Sequence, residues 1–146
     1  MCFLLLSNES AIRGVAIGLS AIPEPAVLGY FETFNRGDFE ATASLFDAEG
    51  VLHAPFADPI VGQSAIATYL KTEAQGMKLH PQQGMSQTLE DGNIQVQVNG
   101  LVQTAVFSVN VGWLFIVNSQ PAIVSATVKL LASPQELLSL RPFTKF

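Results

Sequence analysis

Few side chains in this sequence could carry acid–base or metal chemistry. The candidates are His53, Asp58, Tyr69 and His80. Catalysis by proton transfer would need one of them directed into a closed site with a tuned pKa. Asp58 stands before Pro59 and reads as a turn residue. His53 alternates with Leu52 on a short strand and could face inward, whereas His80, next to Pro81, reads as a loop residue. No spacing joins the two histidines to a carboxylate in a metal-binding pattern. Cys2 is alone, so no internal disulfide is possible and a reducing compartment is the default. The sequence also offers aromatic side chains with polar tips, Tyr30 and Trp113. Phenol O–H and indole N–H are both donors, and a keto oxygen can accept two hydrogen bonds. Taken singly, each reads as a core aromatic whose tip is satisfied locally.

The elements that must position these groups divide the chain into halves. Pro25 suits a first helical position, and Val27, Tyr30, Phe31 and Phe34 form an i, i+3, i+4, i+7 stripe. Gly37 ends that helix, and Asp38 caps a second with Phe39, Thr42, Ala43 and Phe46 on its buried face. A short strand over Val51–Phe56 precedes a third helix from about Gln63 to Gln75, closed by Gly76. The second half is sheet. Asn93 to Asn99 alternates with period two. Asp91-Gly92 predicts a two-residue hairpin turn, with Gly84–Glu90 as the antiparallel partner. Val109–Val117 and Ala122–Leu131 read as two further strands, and Ser133-Pro134 starts a last short helix. The predicted fold class is α+β, a curved antiparallel sheet of about four strands covered by three helices around an apolar cavity.

Composition agrees with a cavity. The chain has 146 residues, of which 7 are basic and 12 acidic, for a net charge of −5. Residues 92–128 contain no formal charge at all. Charged residues are 13% of the chain, about half the ~25% of an average soluble domain, and mean hydropathy is +0.35. There is no basic footprint for nucleic acid and no apolar run near the ~18 residues of a membrane span. What remains is a domain with more apolar surface than its core needs, as a large cavity or a hydrophobic interface would require. Met1–Leu6 is apolar but lacks a basic start and is a poor signal peptide, so a cytoplasmic location is expected. The expected organisation is an N-terminal extension over residues 1–22, a domain over 23–140 and a flexible tail over 141–146. In the extension, Ile12, Val15, Ala16, Leu19 and Ile22 mark a helical stripe, either packed on the outer sheet face or covering an interface.

Five segments in order carry a resemblance: Val27-Leu28-Gly29-Tyr30-Phe31, Pro59-Ile60-Val61-Gly62, Glu73 to Leu79, Val102-Gln103-Thr104 and Leu130 to Leu138. From about Ile22 to Leu140 the chain resembles the C-terminal domain of the orange carotenoid protein family. The resemblance implies a cone-shaped nuclear transport factor two-like fold. It also implies a ketocarotenoid ligand of canthaxanthin or echinenone type, its ring carbonyl held by a Tyr and a Trp. Tyr30 and Trp113 fall at those positions, and Phe34, Met77, Leu79, Thr104, Val106 and Val109 complete the implied ligand-binding set. Where the family often has Pro-Trp-Phe, this chain has Ala105-Val106-Phe107, and Val109 replaces a family Met. The following loop is about four residues shorter. A wider tunnel is expected.

The implied role is that of a carotenoid carrier in cyanobacterial photoprotection, with singlet-oxygen quenching, transient membrane contact and delivery to a helical carotenoid protein. In the family, the Glu matching Glu73 pairs with an Arg of the helical carotenoid domain. A C40 polyene is about as long as a domain of radius of gyration ~15 Å, so a homodimer sharing one pigment is expected. In the tail, Pro142 stops a helix, and Phe143 and Phe146 could plug an apolar mouth. Arg141 and Lys145 could touch anionic lipid. The same cone hosts isomerases and dehydratases, so an enzyme and a ligand-free dimerisation module are the other readings.

Overall fold

Helix α1 (Pro25–Asn35) begins at proline and buries Val27, Tyr30, Phe31 and Phe34, the stripe its 3.6-residue period places on one side. Each of these side chains removed from water contributes about 1.5–3 kcal/mol. In the computed structural model, which describes residues 24–131, α1 closes with a Schellman motif. Gly37, at φ +77°, donates to Phe34 O, and Asp38 N–H donates to Thr33 O. The Asp38 carboxylate then accepts from Ala41 N–H at 3.2 Å and so caps α2 (Phe39–Ser44).

Four further elements complete the first half and start the sheet. They are β1 (Phe46–His53), β2 (Ile60–Val61), α3 (Gln63–Glu73) and the edge strand β3 (Lys78–Thr88). The sheet continues through β4 (Ile94–Gln103), β5 (Ser108–Val117) and β6 (Ile123–Leu131), in spatial order β2-β1-β6-β5-β4-β3. β1 and β6 run parallel, with Leu52 opposite Ala126, and every other neighbouring pair is antiparallel. One face of this sheet carries Val96, Val98 and Val102 of β4 with Val111, Trp113, Phe115 and Val117 of β5. That face shares a continuous core with the apolar sides of the helices.

The class is therefore α+β, a curved sheet covered by three helices, as expected. The strand count and sense are corrected to six strands in a mixed sheet. β1 starts at Phe46, so Phe46 is buried from a strand rather than from α2. β3 starts at Lys78 because Pro81 is accommodated at a bulge on the sheet edge. The β3–β4 turn has three residues, Glu90-Asp91-Gly92, not two. Leu89 and Asn93 pair across it, Gly92 N–H bonds Leu89 O, and Gly92 sits at φ +89°. The expected helices in 1–22 and after Ser133, and the tail, lie outside the described residues.

Candidate functional site

Between the helices and the sheet lies a cavity of about 460 Å³, within the ~300–1,000 Å³ typical of small-molecule sites. α1 contributes Tyr30 and Phe34, α3 contributes Tyr69, Leu70 and Glu73, and the sheet contributes Val102, Val111, Trp113 and Val128. Met77 enters from the connection before β3 and Leu79 from β3 itself. Leu79 is fixed there by Asn35, whose side-chain oxygen accepts from Leu79 N–H at 2.7 Å and whose amide donates to Leu79 O at 2.9 Å. A shallower hollow beside β2 and the start of α3, bounded by Ala48, Ile60, Ser64 and Thr68, brings no buried donor into play.

The cavity's lining is apolar except for a few groups, and two of these are anomalous. Tyr30 is 2% exposed and Trp113 1%. Their rings are held edge-on in an aromatic cluster, Trp113 against Phe31 at 4.9 Å and Tyr30 against Phe115 at 5.0 Å. Yet neither Tyr30 Oη nor Trp113 Nε1 has a hydrogen-bond partner among the described residues. A buried donor left unsatisfied costs about 1–3 kcal/mol, so natural cores almost always pair such groups. Two donors orphaned among the described residues, on one apolar cavity, fit a ligand that is hydrocarbon along its length and carries an acceptor at one end.

Desolvation pushes the Tyr30 phenol well above its ordinary value of 10.0, and the neighbouring Tyr69 adds to the shift. The group is thus a neutral donor across the physiological range. The sign of the linkage follows. Below pH 10 the phenol is protonated in folded and unfolded chains alike, and its contribution is constant. Above it, the unfolded chain releases the proton while the folded chain holds it. Stability is then expected to fall by about 1.4 kcal/mol per pH unit for such a group. Denaturant midpoints between pH 9 and pH 11 check this, and the Tyr30→Phe variant should show a shallower decline. Tyr69 is also raised, by its own desolvation first and by Glu73 second.

The structure brings most of the expected set together. Tyr30, Phe34, Met77, Leu79, Thr104, Val109 and Trp113 all line the cavity, as does Glu73. Val106 does not. It stands 83% exposed in the β4–β5 loop, and the adjacent Phe107 lines the cavity in its place. Phe143 and Phe146 lie outside the described residues. Leu52, Phe56, Tyr69, Val111, Val128 and Leu130 also line it and were not in the expected set. Period-two alternation through Trp113 could have indicated Val111, since both face the same side of β5. Of the acid–base candidates, only Tyr69 reaches the cavity. His80 pairs with Gln103 on the surface at 2.9 Å, and His53 and Asp58 are absent from the lining.

Comparison with known proteins adds the following. The SnoaL-like domain family matches residues 27–98. The orange carotenoid-binding protein of Synechocystis is 37% identical over 127 residues, 84% of this chain and 40% of that protein. Its counterpart from Limnospira maxima is 38% identical over 128 residues, covering 85% and 40%. Among solved structures, an Anabaena orange carotenoid protein binding canthaxanthin superposes with a TM-score of 0.76 at 37% identity. That match covers 90% of this chain and 43% of the other. The chain thus spans about 40% of the length of the curated relatives it matches.

Proposed function

We propose that this chain, whose residues 27–98 match the SnoaL-like domain family and whose fold is nuclear transport factor two-like, binds a ketocarotenoid non-covalently, as its likeness to orange carotenoid proteins implies. The observation that carries the reading is the pair of donors orphaned among the described residues, Tyr30 Oη and Trp113 Nε1, buried on one apolar cavity. Together they satisfy both lone pairs of a ring carbonyl of canthaxanthin or echinenone type. The other lining side chains hold the ring and the adjoining polyene by area alone. The pigment, when bound, supplies light absorption and quenching of excited states, in a photoprotective role. The chain itself performs no reaction. It binds, orients and keeps water from the carbonyl.

The role proposed is that of a carrier, taking pigment from membranes and passing it to a helical carotenoid protein through a contact that includes Glu73. A second copy, mouth to mouth, would cover the part of the polyene that one cavity leaves in water, an exposure that hydrophobic burial opposes. Co-expression with a ketocarotenoid pathway should yield coloured protein. Pigments lacking the keto group should be retained less, by roughly 5- to 160-fold for two lost hydrogen bonds. Colourless protein from such cells, or equal retention of keto and non-keto pigments, would overturn the reading.

A further inference from the structure

The rim of the cavity gathers exposed apolar side chains. Phe56 is 96% exposed and Val106 83%, and beside them Phe107 and Leu130 are 57% and 47% exposed. Phe56, Phe107 and Leu130 also line the cavity. Two short loops present most of this surface, Ala54-Pro55-Phe56-Ala57 between β1 and β2, and Thr104-Ala105-Val106-Phe107 between β4 and β5. The four residues of each tip are uncharged, and the β1–β2 loop continues into the exposed Asp58, two residues from Phe56.

Both loops are held with their apolar tips outward. Phe56 has φ +62°, a left-handed conformation that a bulky side chain adopts only under strain. In the other loop, Thr104 Oγ1 accepts from Val106 N–H at 3.3 Å and Phe107 N–H at 3.1 Å, while Thr104 N–H donates to Phe107 O at 2.8 Å. These bonds fix the backbone of the turn that carries Val106 outward and Phe107 at the cavity rim. Strain and hydrogen bonds are thus invested in keeping large apolar groups in water, which marks an interaction surface.

Resting on the carotenoid reading above, we propose that these two loops insert into a lipid bilayer with electrically neutral headgroups and set the cavity mouth against the acyl chains. A C40 hydrocarbon resides in the acyl phase and does not cross water, so the cavity must meet its donor phase directly. Both loops contribute lining residues, so the phase that receives their tips also faces the cavity. Apolar tips without a basic residue, one of them beside Asp58, on a chain of net charge −5 suit a zwitterionic surface and not an anionic one. The second copy of the carrier reading would take this rim only after loading.

The test is flotation of the full chain, pigment-free, with phosphatidylcholine vesicles. The wild type should float. The Phe56→Asn and Val106→Asn double variant should lose at least about tenfold in partitioning, the effect of withdrawing two partly inserted apolar side chains from lipid. Asn tolerates the left-handed backbone of position 56, and Val106→Asn alone, outside the cavity, should lose part of the effect with an unchanged melting temperature. Wild-type binding should survive ~1 M salt, where the Debye length is about 3 Å. Failure to float, or loss of flotation in salt, overturns the proposal. So does a double variant that floats normally but shifts from dimer to monomer in sedimentation, since the loops would then be a contact between copies. Protein that floats through these loops but stays colourless in carotenoid-producing cells overturns the carotenoid reading and keeps the docking surface. Coloured protein that does not float does the reverse.

Discussion

Tyr30→Phe is expected to move stability and ligand affinity in opposite directions. In the pigment-free protein the phenol oxygen is buried without a partner among the described residues. Removing it relieves a penalty of about 1–3 kcal/mol, so the empty variant should melt higher than the wild type. In the loaded protein the same change deletes a hydrogen bond to the carbonyl. Affinity should fall by about 0.5–1.5 kcal/mol, or roughly 2- to 12-fold. A core tyrosine with a purely architectural role would move both in the same direction. Melting curves of the empty proteins, paired with pigment titrations, separate the cases, and a variant that melts lower would refute the orphaned-donor argument. For Trp113→Phe the affinity loss should be similar, but the smaller ring leaves space beside Phe31, so stability should not rise.

Gly100→Ala should be the most damaging single methyl in the sheet. Gly100 lies opposite Pro81, beside the bulge in β3. A Cβ at this position would stand 2.2 Å from His80 O and 2.9 Å from Pro81 Cα, both backbone atoms that no side-chain rotation can move aside. Relief requires β3 to part from β4, and the expected loss is about 3 kcal/mol or more, at the upper end for one substitution. The damage should reach the site, because the same stretch of β3 carries Leu79 to the cavity and ties it to Asn35. Denaturant unfolding gives the magnitude, and amide exchange along Lys78–Thr88 gives the location. An Ala variant within 1 kcal/mol of wild type would show that the bulge absorbs the methyl.

The parts of the fold legible in the sequence are those written in local periodicity. The α1 stripe, the Asp38 cap and the alternation of β4 lead directly to buried faces because each is decided within one or two turns or a few strand residues. β1 was legible only at its end. Asp47, Glu49 and Gly50 are poor strand formers, and they fall in the irregular stretch between the Phe46–Ile123 and Val51–Ser125 pairs with β6. Pro81 argued against a strand at Lys78–Gln83, and the edge position of β3 makes it tolerable. The site divides in the same way. Tyr30, inside a matching segment, and Trp113, at the position the resemblance implies, were legible, whereas Phe56 and Phe107 sit on loops whose conformation no periodicity encodes. Placing Val106 in the wall, one residue from Phe107, is the error expected when a shortened loop must be threaded without knowing the turn that Thr104 pins.

The parallel pairing of β1 with β6 has a consequence for the order in which the protein assembles. β3 through β6 form a meander of sequential neighbours and can zip locally, each hairpin closing a short loop. β1 must instead find a strand that begins at Ile123, with the whole meander in between, and such distant contacts come late because chain closure precedes any reward from pairing. The wall carrying Leu52 and the Phe56 loop is therefore the last to dock. During synthesis, β1 and its helices wait for β6 to leave the ribosome. Through that interval the aromatic faces of α1 and the open inner face of the sheet are the surfaces most exposed to aggregation.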